Sequence, residues 1–399
     1  YSDPRLPLLN RAVNAIYSPG STFKTLQALV GLHEGVITTN TTFSCPGFFG
    51  GCGNGKPKCL DPGTFFLKTA ITHSCNTYFA NVMQRVINNP KFPNLDSSLA
   101  SWNRYMAAFG LGHRLGVDIP TEQKGFIPTP AYFDKVYGSN RWAFCNFTSV
   151  SIGQGEVNVT QLQVANEMAY LANKGWYITP HIVDSIEDGD KWGLLDKYKV
   201  KNVPLEIPDS IFEAVHDGMQ GVMESGTGQG ARVPGITVCG KTGTVENYAK
   251  VNGELVKQPN HSFFAAFAPR ENPRIAIMCV VENSGRFGGT YAAPIVSLMI
   301  EKYLNDTIAA NRKPMEERII NQNLIPPLMM QKMRTRDSLR AAREAAELKK
   351  EELNNIKDTL QSEDNISDSE LVAPNDTPPV KNQKEDTTTH KKDIMAPEE

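Results

Sequence analysis

The sequence predicts an α+β fold, an antiparallel β-sheet flanked by helices, from the order in which its hydrophobic periods occur. Helical periods fill the chain up to about residue 225, β-rich runs broken by turn residues come only afterwards, and one more helical run closes the body. Strands and helices do not alternate, which argues against a doubly wound parallel sheet. In chain order, Ser21 to His33 carries apolar residues at Phe23, Leu26, Leu29, Val30 and Leu32 behind a Pro19-Gly20 turn. That reads as a mostly buried helix with Ser21 in its first turn. Thr160 precedes a helical run from Gln161 to Lys174 that Gly175 closes, which fits an N-cap and a C-terminal glycine. A third helix covers about Ile211 to Glu224. Ile236 to Val245, Ser262 to Phe267 and Arg274 to Val281 then read as three antiparallel strands, the last two separated by Ala268-Pro269-Arg270-Glu271-Asn272-Pro273. A final helix, roughly Ala293 to Leu304, covers one face of that sheet.

Of the 399 residues, 40% are apolar, enough for a sizeable core, and 41 Lys and Arg against 43 Asp and Glu leave a net charge of -2. Such a balance offers no electrostatic footprint for nucleic acid or an anionic membrane. No stretch approaches the roughly 18 apolar residues of a spanning helix. The chain starts at Tyr1 and runs quickly into a dense motif, so it reads as a fragment whose upstream part is missing. Composition divides it into a folded body over 1-325, a helical extension over 326-360 rich in Ala, Glu, Lys and Arg, and a disordered acidic tail over 361-399.

Three short motifs bear chemistry. Ser21-Thr22-Phe23-Lys24 puts a hydroxyl and an amine three apart at a helix start, on one face, where a neutral Lys can take the proton of a nucleophilic Ser. Ser74-Cys75-Asn76 directs two polar side chains to one side if extended. Lys241-Thr242-Gly243-Thr244 sits on a strand whose glycine lets another backbone lie alongside, as when an extended peptide is added to a sheet edge and its carboxylate is bound by Lys and Thr. Gly235 to Thr242 also spells the phosphate-loop pattern G-x-x-x-x-G-K-[ST], but a phosphate loop must open a helix, and Gly243, Thr244 and Val245 follow here.

Together, in the order S-x-x-K, S-x-N, K-T-G, these motifs are the signature of penicillin-binding proteins and serine β-lactamases. The chain resembles the transpeptidase domain of class B penicillin-binding proteins, most closely the penicillin-binding protein 2 group, over about residues 1-305. Supporting stretches are Pro19 to Lys24, Gly116-Val117-Asp118-Ile119-Pro120, Ser151-Ile152-Gly153-Gln154-Gly155-Glu156 and Gly240 to Thr244. The resemblance implies a peptidoglycan D,D-transpeptidase in which Ser21 attacks the penultimate D-Ala of a stem peptide, Lys24 is the general base and Ser74 relays a proton to the leaving amine. It further implies that Asn76 holds the stem amide, that Lys241, Thr242 and Thr244 around Gly243 bind the terminal carboxylate, and that the Ser21 and Thr244 N–H groups form the oxyanion hole. Catalysis needs no cofactor on this reading. The implied partners are peptidoglycan stem peptides, β-lactam antibiotics that acylate Ser21, a peptidoglycan glycosyltransferase and the membrane proteins of the elongation complex. The implied place is the inner membrane, with this domain on the periplasmic side. A β-lactamase or β-lactam sensor is the alternative, but no residue announces the activated water that a hydrolase needs.

Seven cysteines are unevenly spread: Cys45, Cys52, Cys59 and Cys75 crowd the segment between the first two motifs, while Cys145, Cys239 and Cys279 sit among apolar residues as expected core side chains. Some members of the resembled group carry zinc in that segment, and the matching positions here are Cys45, Cys59, Asp61 and Cys75, with Cys52 or His73 able to replace Asp61. Thiolates and a carboxylate suit structural zinc. A Cys52-Cys59 disulfide is the alternative in an oxidising compartment.

Overall fold

The computed structural model describes residues 3, 6-251, 253-325 and 327-367. Its centre is helix α1 (Lys24–His33), entered through the 3-10 turn Gly20–Phe23. Every residue from Thr22 to Val30 is solvent-shielded: Thr22, Lys24, Thr25 and Gln27 are as fully covered as Leu26, Ala28, Leu29 and Val30. A helix buried on all sides must find partners for its polar groups. Gln27 does so by accepting the indole N–H of Trp102 at 3.1 Å. Burying Leu26 and Leu29 contributes about 2 kcal/mol each by removing apolar surface from water.

Around α1 lie α2 (Leu67–Thr72), α3 (Asn76–Ile87), α4 (Leu95–Ala108), α5 (Gln161–Ala172) and α6 (Asp209–Glu224). Thr160 caps α5 as the sequence predicts: its hydroxyl accepts the Gln163 N–H at 3.2 Å while the Gln163 side chain accepts the Thr160 N–H at 2.9 Å. Lys174 and Gly175 then take positive φ and end the helical path.

Strands β1 (Cys239–Val251), β2 (Glu254–Ala268) and β3 (Ile275–Val281) form one antiparallel sheet in that order, and α7 (Ala292–Asn305) packs on β2 and β3. This is the expected α+β architecture. The β1-β2 hairpin is longer than its apolar runs suggest, because pairing continues past a register shift at Val245/Asn247 through the polar stretch to Val251 and Glu254. Lys241 and Thr242 lie inside a strand paired to Ala265 and Phe264, so the phosphate-loop pattern is a coincidence of letters.

The last helix, α8 (Pro327–Ser367), belongs from Arg334 onward to a separate unit. It runs seven residues into the segment expected to be a disordered tail, since Gln361 to Ser367 contains no Gly or Pro to stop it. The rest of that tail, 368-399, lies outside the described residues.

Candidate active site

The three motifs converge on one cavity of about 490 Å³, lined by Ser21, Ser74, Asn76, Thr242 and Thr244 among others. Ser21 occupies the 3-10 turn. Gly20 before it has φ +58 and donates its N–H to the Gly153 carbonyl at 2.8 Å. A Cβ on Gly153 would sit 2.3 Å from the Gly20 oxygen, so the Ser151–Glu156 stretch is glycine-bearing because it must touch the Ser21 turn. The same stretch brings Gln154 into the cavity wall, its amide N–H directed at the Thr244 carbonyl at 3.5 Å.

Ser74 has φ +57, a strained conformation for a non-glycine residue, and Cys75 is extended as the N-cap of α3. This kink, rather than a plain extended run, turns Ser74 and Asn76 toward α1. Lys24 Nζ donates to the Ser74 carbonyl at 2.7 Å, lies 3.1 Å from Ser74 Oγ and also contacts Asn76 Oδ1. The Asn76 amide N–H in turn donates to the Lys58 carbonyl at 2.6 Å, which fixes its orientation. Burial lowers the Lys24 pKa to about 7, against the opposing pull of the nearby Cys75 and Cys59 thiols. A neutral amine keeps two N–H donors and one lone pair, so it can serve the Ser74 carbonyl and Asn76 while accepting a proton from a hydroxyl.

Lys241 is fully buried too, and is not among the residues lining the cavity. Burial, and then the charge of Lys24, push its pKa well below the ordinary lysine value. Thr242 and Thr244 do face the cavity, and Thr242 Oγ1 is 2.5 Å from the hydroxyl of Thr227. Among the described residues β1 pairs only with β2, at the edge of the sheet. Gly243 is required by crowding: a Cβ there would approach Phe263 Cβ at 3.0 Å and the Pro19 carbonyl at 3.4 Å.

Sequence reasoning missed part of the wall. Lys58, Cys59 and Leu60 line one side, and Thr227 with Phe287, Gly288, Gly289 and Thr290 another. The signal was present in Gly288, where a Cβ would fall 2.6 Å from the Gly243 carbonyl oxygen. Such a glycine marks a loop pressed against the K-T-G strand.

The cysteine segment departs from the expected disulfide and brings together three of the four expected metal ligands. Cys52 is bonded to Cys145, 93 residues away, not to Cys59. Cys145 is thus an exposed cross-link and not a core side chain, because spacing along the chain carries no information about pairing across it. Cys52 is thereby removed as a replacement ligand. The thiols of Cys45, Cys59 and Cys75 lie within 4.8 Å of one another, whereas neither Asp61, which is exposed, nor His73 joins that group. Thr77 Oγ1 sits 3.2 Å from both Cys45 and Cys59 Sγ. Hydrogen bonding from Cys75 pulls the Cys59 thiol down, and that same bond, with burial, pushes Cys75 up. Cys239 and Cys279 pack in or against the core as expected.

Comparison with known proteins agrees with this geometry. The penicillin binding protein transpeptidase domain family matches residues 1-301. A peptidoglycan D,D-transpeptidase, MrdA, of Acinetobacter baumannii is 33% identical over 302 residues, which are 72% of this chain and 42% of that protein. The chain therefore spans less than half of that relative's length. The structure of penicillin-binding protein 2 from Pseudomonas aeruginosa in complex with WCK 5153 superposes with a TM-score of 0.61 at 27% identity, covering 76% of this chain and 66% of that one. Penicillin-binding protein 2 of Helicobacter pylori, solved in complex with MreC, gives 0.61 at 27% identity over 75% of this chain and 52% of that one. Since the matched region contains all three motifs and the cavity they line, the chain belongs to the penicillin-binding protein transpeptidase family.

Proposed function

We propose that this domain is a serine D,D-transpeptidase that cross-links peptidoglycan stem peptides, with Ser21 as the nucleophile. The observation that carries this reading is the buried Lys24, which follows the turn bearing Ser21 and whose amine bridges Ser74 and Asn76. An extended stem lies along the free edge of β1, its terminal carboxylate at Thr242 and Thr244 and its amide at Asn76. Ser21 Oγ bonds to the penultimate D-Ala carbonyl carbon as its proton passes to Lys24 Nζ. The Ser21 and Thr244 N–H groups receive the developing oxyanion. The C–N bond then breaks, and the proton returns through Ser74 Oγ to the departing D-Ala amine. An amine of a neighbouring stem attacks the ester, an amide forms, and Ser21 regains its proton. Lys241, buried beneath the strand and donating to the Thr242 carbonyl at 3.1 Å, holds the residues that receive the terminus.

A β-lactam enters the same path and stops at the acyl-enzyme. The test is intact-mass measurement after benzylpenicillin: one stable adduct, absent in Ser21→Ala, supports the reading, and turnover of excess penicillin would point to a hydrolase instead.

The Cys52–Cys145 disulfide supports a periplasmic location, because such cross-links persist in oxidising compartments. No helix among the described residues is long and apolar enough to cross a membrane, so any membrane anchorage is an inference from the family. By the same inference, the partners are a glycosyltransferase and elongation-complex membrane proteins, as the Helicobacter relative's complex with MreC suggests. The three-thiol group fits structural zinc in donor type and spacing, with Cys45, Cys59 and Cys75 as ligands; bound there, the ion would brace the S-x-N turn and leave the acyl transfer to Ser21 and Lys24.

A further inference from the structure

We infer that Glu167 is a neutral carboxylic acid that positions the nucleophile turn through Thr25, a reading that rests on the function proposed above. Glu167 lies on α5, fully buried, and among the described residues Thr25, a neutral side chain, is the group that meets its carboxyl. Its Oε1 is 2.8 Å from Thr25 Oγ1, the residue directly after Lys24. Thr25 Oγ1 is also 2.8 Å from the Thr22 carbonyl oxygen, and Thr22 Oγ1 is 2.8 Å from the Pro19 carbonyl oxygen.

A hydroxyl has one proton to give. If Thr25 spends it on the Thr22 carbonyl, the contact with Glu167 is a hydrogen bond only when the carboxyl carries the proton and donates it. The three bonds then run in one direction: Glu167 to Thr25, Thr25 to the Thr22 carbonyl, and Thr22 to the Pro19 carbonyl. They brace the turn from Pro19 to Thr25, which contains both Ser21 and Lys24, and bonds in such a chain polarise one another. The other arrangement leaves a desolvated carboxylate with its Oε2 unpartnered and no cation beside it, which is far costlier than a neutral acid in that place.

The titratable groups on the elements around α5 are engaged elsewhere. Lys24 turns to Ser74 and Asn76, and His33 to the Tyr105 hydroxyl. Arg11 pairs with Glu282, Lys257 with Glu246, and His261 accepts the Asn283 N–H. Cys279 on β3 is held protonated by burial, as are Tyr177 and, on α5 itself, Tyr170. Burial raises the Glu167 pKa to about 8, with the Thr25 bond opposing.

The test compares Glu167→Gln, Glu167→Leu and Thr25→Val in the full chain by the rate of acylation with benzylpenicillin and by thermal melting. An amide N–H replaces the acid's O–H, so Glu167→Gln should acylate within about twofold of wild type, while Glu167→Leu and Thr25→Val slow it about tenfold. Combining those two should cost no more than either, since they cut one chain of bonds. An acid that is neutral when folded binds its proton more tightly than the unfolded chain does. Its stabilising share is complete below the ordinary carboxylate pKa of about 4.5 and is lost as pH rises to about 8. Glu167→Gln has no such slope, so its melting temperature should gain on wild type between pH 5 and 8. Equal acylation by wild type and Glu167→Leu would overturn the positioning role. Glu167→Gln as slow as Glu167→Leu, with no pH-dependent gain in melting, would overturn the neutral acid. A wild-type chain that does not acylate overturns the transpeptidase reading and the positioning role with it, while the melting comparison still decides the protonation state.

Discussion

The two walls of the cavity are built on different principles. On one side, β1 and the Ser21 turn meet through bare backbone: Gly20, Gly153, Gly243 and Gly288 all sit where a Cβ would press on a neighbouring chain. On the other, the segment from Cys45 to Cys75 adds sulfur to its core anchors Phe49, Phe65 and Leu67: Cys52 is bonded to Cys145, and the thiols of Cys45, Cys59 and Cys75 cluster. The glycine wall fixes geometry by excluding side chains, so it tolerates no addition. The sulfur wall fixes geometry by cross-linking, so it should yield gradually when links are removed.

That contrast can be broken or sharpened by experiment. The largest effect is expected at the point both walls share: Lys24→Ala should lower acylation by benzylpenicillin about a thousandfold in stopped-flow or mass measurements while the fold persists, because it removes the proton acceptor. On the glycine wall, Gly153→Ala should destabilise the domain by about 3 kcal/mol in denaturant titration and slow acylation about a hundredfold, since its Cβ would collide with the Gly20 oxygen. Lys24 itself supplies the next effect. With its pKa lowered to about 7, acylation should rise about tenfold from pH 6 to pH 8 as the amine loses its proton, and a flat profile would count against Lys24 as base. On the sulfur wall, Cys52→Ser with Cys145→Ser should cost about 3 kcal/mol of stability by freeing a 93-residue loop in the unfolded chain, yet change acylation less than threefold. Should that double variant lose acylation as badly as Gly153→Ala, the two walls would not differ in kind.

The same contrast explains what the sequence disclosed. The Ser21 turn, the K-T-G strand and the capped helix α5 were legible because apolar periodicity, glycine and an N-cap act locally. The sheet was placed correctly, but its hairpin extension was not, since Asn247 to Val251 pairs with Glu254 to Gln258 by backbone bonds that the side chains do not advertise. Cys145 was read as core because its partner lies 93 residues away, and Asp61 was drawn into a ligand set from which its exposed carboxylate is absent. Glu167 left no mark at all: an acid amid a helical pattern looks like a solvated position until Thr25 is found against it.

The central claim is that Ser21 is an acylating nucleophile primed by Lys24. The most direct test is the intact mass of the chain after brief exposure to benzylpenicillin and a chase, beside Ser21→Ala. The account predicts a single adduct that survives the chase in wild type and never forms in the variant. An adduct of equal yield in Ser21→Ala, or none in a folded wild-type chain, would contradict it.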